Sequence, residues 1–205
     1  MTVTVFGNGT VTGISAGGLP DGCIQSADIA TGTIQSGDIA SGVLPAGITL
    51  GTAVASTSGA TIDFTGIPAG TKRVTISISS LSTSGSSPMI TQLGDSGGFE
   101  TSGYIGSGGR LQPASAAQNA VAFTTGLAWS ADWSDALLYA GGGTMELVDA
   151  STNTWAWRAI SGWNAAGIAW GASAKSLSGV LTQIRMTMVN GSDTFDAGKV
   201  NITYE

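Results

Sequence analysis

A large aliphatic side chain recurs every five residues near the start of the chain, at Ile14, Leu19, Ile24, Ile29, Ile34, Ile39 and Leu44. A glycine or alanine stands two places before six of them, at Gly17, Gly22, Ala27, Gly32, Gly37 and Gly42. Cys23–Gly32 returns almost residue for residue as Thr33–Gly42. A period of five matches neither the turn of a helix nor the two-residue alternation of a strand. It describes a short extended unit stacked on itself, each copy turning one apolar side chain inward and easing its bend with a small residue. Such arrays build β-solenoids or interwound fibres. Seven units fill fewer than about two turns of a four-sided solenoid, and so short an array is poorly stable alone. Three associated chains would bury each aliphatic row against two others, so the seven residues above are the predicted core of a trimeric shaft. Leu19-Pro20 and Leu44-Pro45 bracket the two copies, and proline, lacking a ladder donor, marks the ends of regular pairing.

The length of 205 residues allows one ordinary domain and an appendage. Charged residues are 10% of the chain, against about 25% in ordinary soluble domains, and glycine is abundant. A surface so poor in charge predicts that some apolar area is covered by other subunits. The net charge is −6 and the first basic residue is Lys72. No basic stripe exists to neutralise phosphates, which excludes nucleic acid as an expected partner. The lone Cys23 cannot form an internal disulfide and reads as a small residue of the array. Residues 1–15 lack the cationic start and apolar run of a signal peptide, and no apolar stretch is long enough to span a bilayer. The expectation is no membrane insertion and exit from the cell by lysis.

The rest of the chain alternates with period two. Thr2–Phe6 and Thr10–Thr12 flank Gly7-Asn8-Gly9 as a small hairpin. Val74, Ile76 and Ile78 share one strand face, as do Ile184, Met186 and Met188, and Val200, Ile202 and Tyr204. Further strands are predicted near 50–56, 61–65, 89–93, 120–128, 144–149, 154–160 and 167–171, with turns at Pro68–Gly70, Asp95–Gly98, Gly141–Gly143, Ser151–Asn153 and Asn190-Gly191. No segment carries the caps and period of an amphipathic helix. The predicted fold is all-β: a shaft over 1–47, including a short N-terminal anchor, then a jelly-roll-like β-sandwich head over 48–205.

Gly51–Pro68, Lys72–Ile78, Gln92–Gly98 with Glu100–Tyr104, Leu147–Trp155, Ser176–Leu181, Ile184-Arg185, Asn190–Gly198 and the closing Asn201–Glu205 together resemble a domain of tailed-bacteriophage fibre proteins. The resemblance spans nearly all of 50–205, and the array at 13–47 resembles the Gly/Ile/Asp-rich shaft repeats of such fibres. It implies a homotrimer in the virion with a shaft and a distal head.

Gly94-Asp95-Ser96-Gly97-Gly98 has the form of a serine-protease nucleophile motif. That chemistry needs a base, normally histidine, and the chain has none. Nothing marks Lys72, Lys175 or Lys199 as a substitute, so the motif reads as a turn. Asp132/Asp135 and Asp193/Asp196 are carboxylate pairs of the kind a glycosidase uses, but both lie in turn-like segments where aspartate bonds local amides. No metal site or cofactor is expected, since histidine ligands are absent and no oxygen-rich loop has calcium spacing. All six tryptophans fall within 129–170. Trp155 and Trp157 share a strand face, and Trp129 and Trp133 bracket the loop-like Ser130–Asp132. Clustered rings among few charges can stack on sugars or fill a core. The expected ligand-binding residues are Trp129, Asp132, Trp133, Trp155 and Trp157, with the first pair on an exposed loop.

These readings converge on a non-enzymatic, homotrimeric virion fibre. It would attach through its N-terminal region to a phage tail, baseplate or capsid protein and bind a host cell-surface glycan through its head. A capsid, neck or baseplate decoration fibre without a receptor role and a glycan depolymerase are the alternatives.

Overall fold

The computed structural model describes residues 29–31, 34, 47–112, 119–133, 137–164 and 167–205. The chain divides into two compact units, Met1–Ala46 and Gly47–Glu205. Within the first, Ile29 and Ile34 are exposed in the single chain, at 41% and 53%. The other shaft positions, Ile14, Leu19, Ile24, Ile39 and Leu44, the hairpin expected at 2–12 and Cys23 lie outside the described residues.

The second unit is all-β and sandwich-like. Its strands are β1 (Thr49–Leu50), β2 (Val54–Ala55), β3 (Thr61–Thr65), β4 (Arg73–Thr83), β5 (Met89–Asp95), β6 (Gly98–Phe99), β7 (Ile105–Leu111), β8 (Asn119–Phe123), β9 (Leu127–Ala128), β10 (Tyr139–Asp149), β11 (Thr154–Trp163), β12 (Gly167–Ser176), β13 (Gln183–Met188) and β14 (Phe195–Tyr204). All pair antiparallel. The larger sheet runs β1-β14-β4-β10-β11-β12-β7-β8, with β2 also on β14; the smaller runs β3-β13-β5-β6, with β9 also on β5.

Period-two patterning fixes which side chains meet between the sheets. Ile62 and Phe64, Met89 and Leu93, and Ile184, Met186 and Met188 line the smaller sheet's inner face; Val74, Ile76, Met145, Trp155, Trp157 and Ile202 oppose them from the larger. The alternation predicted at 74–78, 184–188 and 200–204 is found on β4, β13 and β14.

Gly141–Gly143 does not form the expected turn. These glycines lie inside β10, paired with Ile160, Ser161 and Ala159 on one side and with Ile76, Ser77 and Ile78 on the other. Packing explains the glycine: a Cβ on Gly143 would overlap the indole of Trp157. Strand β7, with the sequence Ile-Gly-Ser-Gly-Gly-Arg-Leu, escaped prediction for a related reason. Its glycines give no alternation, yet Gly108 and Gly109 pair with Gly171 and Trp170 of β12.

Candidate functional site

The five residues expected to bind ligand are placed mostly inside the sandwich. Trp129 and Trp133 are 0% and 1% exposed, and Trp155 and Trp157 are equally inaccessible. The exposed loop expected at 129–133 is corrected: the segment after β9 turns inward, and Ser130 and Ala131 are buried with it. Trp129 meets Trp157 edge-on with ring centroids 5.1 Å apart. Its Nε1 donates to Thr91 Oγ1 at 2.8 Å, and Trp157 Nε1 donates to the Ala128 carbonyl at 2.7 Å. Trp133 stacks on Tyr139 at 3.7 Å. The rings therefore form the core between the sheets and offer no face to a sugar. Asp132 is half-buried and pairs with Arg110 at 2.8 Å. Burial pushes its carboxyl above the ordinary value, and Arg110 opposes that shift.

The motif around Ser96 forms a tight β5–β6 hairpin, with Asp95 paired to Gly98. Asp95 accepts from the Gly97 amide at 2.7 Å and from Ser178 Oγ at 2.7 Å. These bonds hold its carboxyl below the ordinary range. Beside it, Glu100 pairs with the buried Lys175 and accepts from the Ser178 amide. Burial works to raise the Glu100 carboxyl, but its bonds to Lys175 and Ser178 together hold it below the ordinary value. This network anchors the hairpin. Asp193 likewise serves a turn, accepting from the Ser87 amide and from Asn190 Nδ2. Asp135 lies outside the described residues. Among the described residues there is no cluster of three or more metal-ligating side chains.

A groove on the outer face of the smaller sheet has the geometry of a binding site. Its volume is about 470 Å³. The floor comes from positions that alternate with the core residues. One row is Arg185 on β13 and Gln92 on β5, with Asp63 of β3 beside Arg185 in register; the next is Thr61, Thr187 and Ile90. Thr101 and Thr125 line one side, and Val189 and Gly191 one end. Arg185 is held by a two-pronged pair, Nε to Asp63 Oδ1 at 2.8 Å and Nη2 to Asp63 Oδ2 at 2.7 Å. Its guanidinium carbon stacks 4.1 Å from the centre of the Phe99 ring. Two interactions thus orient a planar donor group at the groove, one electrostatic and one through the ring quadrupole.

The wall at 123–128 is fixed to the floor. Ile90 packs with Phe123 and Ala128 in a small satellite cluster, β9 pairs with β5 through Ile90 and Ala128, and Gln92 Nε2 donates to the Thr125 carbonyl at 3.1 Å. The groove is therefore built from ordered strands and a tethered wall. It offers the hydroxyls of Thr61, Thr101 and Thr125, a planar guanidinium and the exposed aliphatic edge of Val189.

None of these groove residues was singled out from the sequence as a site, because the aromatic cluster drew the expectation elsewhere. The usable signal was parity: Arg185 and Thr187 alternate with Ile184, Met186 and Met188, and so had to face outward. No family model, curated protein or solved structure matches this chain.

Proposed function

We propose that this chain is a homotrimeric fibre protein of a tailed bacteriophage whose body binds a host cell-surface glycan in the smaller-sheet groove. Three copies interwind through the five-residue array at 13–47, and the N-terminal region attaches to a tail, baseplate or capsid protein. The sandwich, of jelly-roll kind, is the distal head. The fibre assembles in the host cytoplasm and leaves with the virion at lysis. The action is binding without catalysis.

The observation that carries the reading is the groove's chemistry. Arg185 is neutralised by Asp63, so the site presents directional donors and acceptors with little net charge. Hydroxyls and a flat guanidinium beside the apolar edge of Val189 suit a neutral saccharide, whose ring has hydroxyl rims and C–H faces. Weak contacts suffice when three heads engage a repetitive polymer together.

The test is retention of the purified full chain on a panel of immobilised bacterial surface polysaccharides, compared with Thr101→Trp. Thr101 is an exposed groove residue, so an indole there fills the site without entering the core. Wild type should be retained by at least one polysaccharide, and the variant at least tenfold less. Equal retention of the two proteins, or no retention of wild type, contradicts the reading.

A further inference from the structure

The outer face of the larger sheet is the opposite kind of surface. On β11, the positions alternating with buried Trp157, Ala159 and Ser161 face outward, and so do those on β12 alternating with Ala169, Gly171 and Ser173. Ile160 pairs with Trp170, which pairs with Gly109; Ile168 pairs with Leu111 in the adjoining row. Ile160 is 58% exposed and Trp170, alone among the six tryptophans in being exposed, 40%. The Trp170 ring lies over Gly109, where a Cβ would come within 2.7 Å of its atoms. Ile105 continues the apolar surface along β7. The one charged side chain among the outward positions from Ala156 to Gly162 is Arg158, and both its prongs are taken by Glu146 of the same chain, at 2.9 and 2.8 Å.

We propose that this face, centred on Trp170 and Ile160, is where the bodies of neighbouring copies of the chain pack against one another. The proposal rests on the trimeric fibre reading. Three observations select a second copy as the occupant. The chain carries a net charge of −6, so two copies repel unless they meet through a surface without unbalanced charge, and this face is one. Five strands spaced about 4.8 Å apart, each giving some seven residues at about 3.3 Å, present roughly 500 Å² per copy. In a closed trimer each face is shared between two neighbours, and the three faces together bury about 1,500 Å² around the axis. The face also offers two features that can meet: the exposed Trp170 ring, laid over Gly109 of β7, and a hollow of about 260 Å³ over Gly142, Gly143 and Thr144 on β10. An apolar ring and a hollow displaced sideways on one face let each copy seat its ring against the hollow of the next around an axis, with the larger sheets innermost.

The test uses the full chain with its sole cysteine removed by Cys23→Ser, carrying either Ile160→Cys or, as control, Val180→Cys on an exposed loop. Both proteins are sized by light scattering and then labelled with a maleimide. The expected result is a particle of three chains in which position 160 reacts at least tenfold more slowly than position 180. An assembled particle that labels equally fast at both positions overturns the proposal and leaves the fibre reading standing, with the face open to another partner. A single-chain particle overturns both.

Discussion

The two outer faces of the sandwich share one device and diverge around it. Each has an arginine clamped across strands by two bonds to a carboxylate, Arg185 to Asp63 on the smaller sheet and Arg158 to Glu146 on the larger. On the smaller sheet the clamp is walled, stacked on Phe99 and set among threonines. On the larger it stands at the margin of an apolar field, beside the hollow over β10. The side chains of the arginines differ accordingly in exposure, 31% for Arg185 and 65% for Arg158. An ion pair alone therefore does not make a site; its surroundings decide whether it orients a ligand or only neutralises an edge.

The largest expected effect abolishes the contrast. Trp157→Ala removes an indole shared by both sheets and should cost about 3–5 kcal/mol. At about 2–4 °C per kcal/mol, the melting temperature should fall by roughly 10 °C, with polysaccharide retention and assembly lost together. Loss of one function with the other intact would show that the faces do not share one core.

Gly143→Ala should act on the larger sheet first. The added methyl overlaps the Trp157 ring, a crowding worth about 1–3 kcal/mol. Calorimetry should show a lower transition, with retention at 20 °C unchanged.

Arg185→Lys should act on the groove alone. Lysine keeps the charge but loses the fork and the flat stack on Phe99. Retention should drop about tenfold, the equivalent of about 1.4 kcal/mol, and the melting temperature should move by no more than about 3 °C. Retention equal to wild type would remove Arg185 from the site.

Acid should weaken the groove before it weakens assembly. Asp95 and Glu100 both have carboxyls held below their ordinary values in the fold, so their contribution is complete above those values and disappears as pH falls through the lowered ones. They anchor the hairpin that carries Phe99. As pH falls below the ordinary carboxylate range of about 4, retention should decline while the scattering mass holds, and Asp95→Asn should lose the Asp95 part of that decline. The smallest effect is expected of Ser96→Ala, a change on the hairpin tip that should leave stability within about 0.5 kcal/mol and retention unaltered.

Much of the sandwich was legible because burial imposes alternation: strands 61–65, 73–83 and 183–188 follow their apolar residues. What failed was local chemistry read without tertiary context. Three consecutive glycines signal a turn by propensity, yet at Gly141–Gly143 they make room for a neighbouring indole. Trp129 and Trp133 flank polar residues and have no strand period, yet the segment runs inward, with Trp129 bonded to Thr91 and Trp133 stacked on Tyr139. The groove was invisible for a different reason. Phe99 with Thr101, Thr125, and Arg185 come from three separate parts of the chain, and only the pairing of β5, β6, β9 and β13 brings them together.

The division of labour between the faces is tested most directly by two thiol reporters in the Cys23→Ser protein, Val189→Cys at the groove and Ile160→Cys on the larger sheet. Each is labelled with maleimide in the presence and absence of lipopolysaccharide and capsule fractions from bacteria to which the protein adsorbs. The account predicts that position 189 labels freely in the protein alone and is protected at least several-fold by one fraction, while position 160 is slow under both conditions. Protection at position 160 by the polysaccharide, with position 189 unaffected, would contradict it.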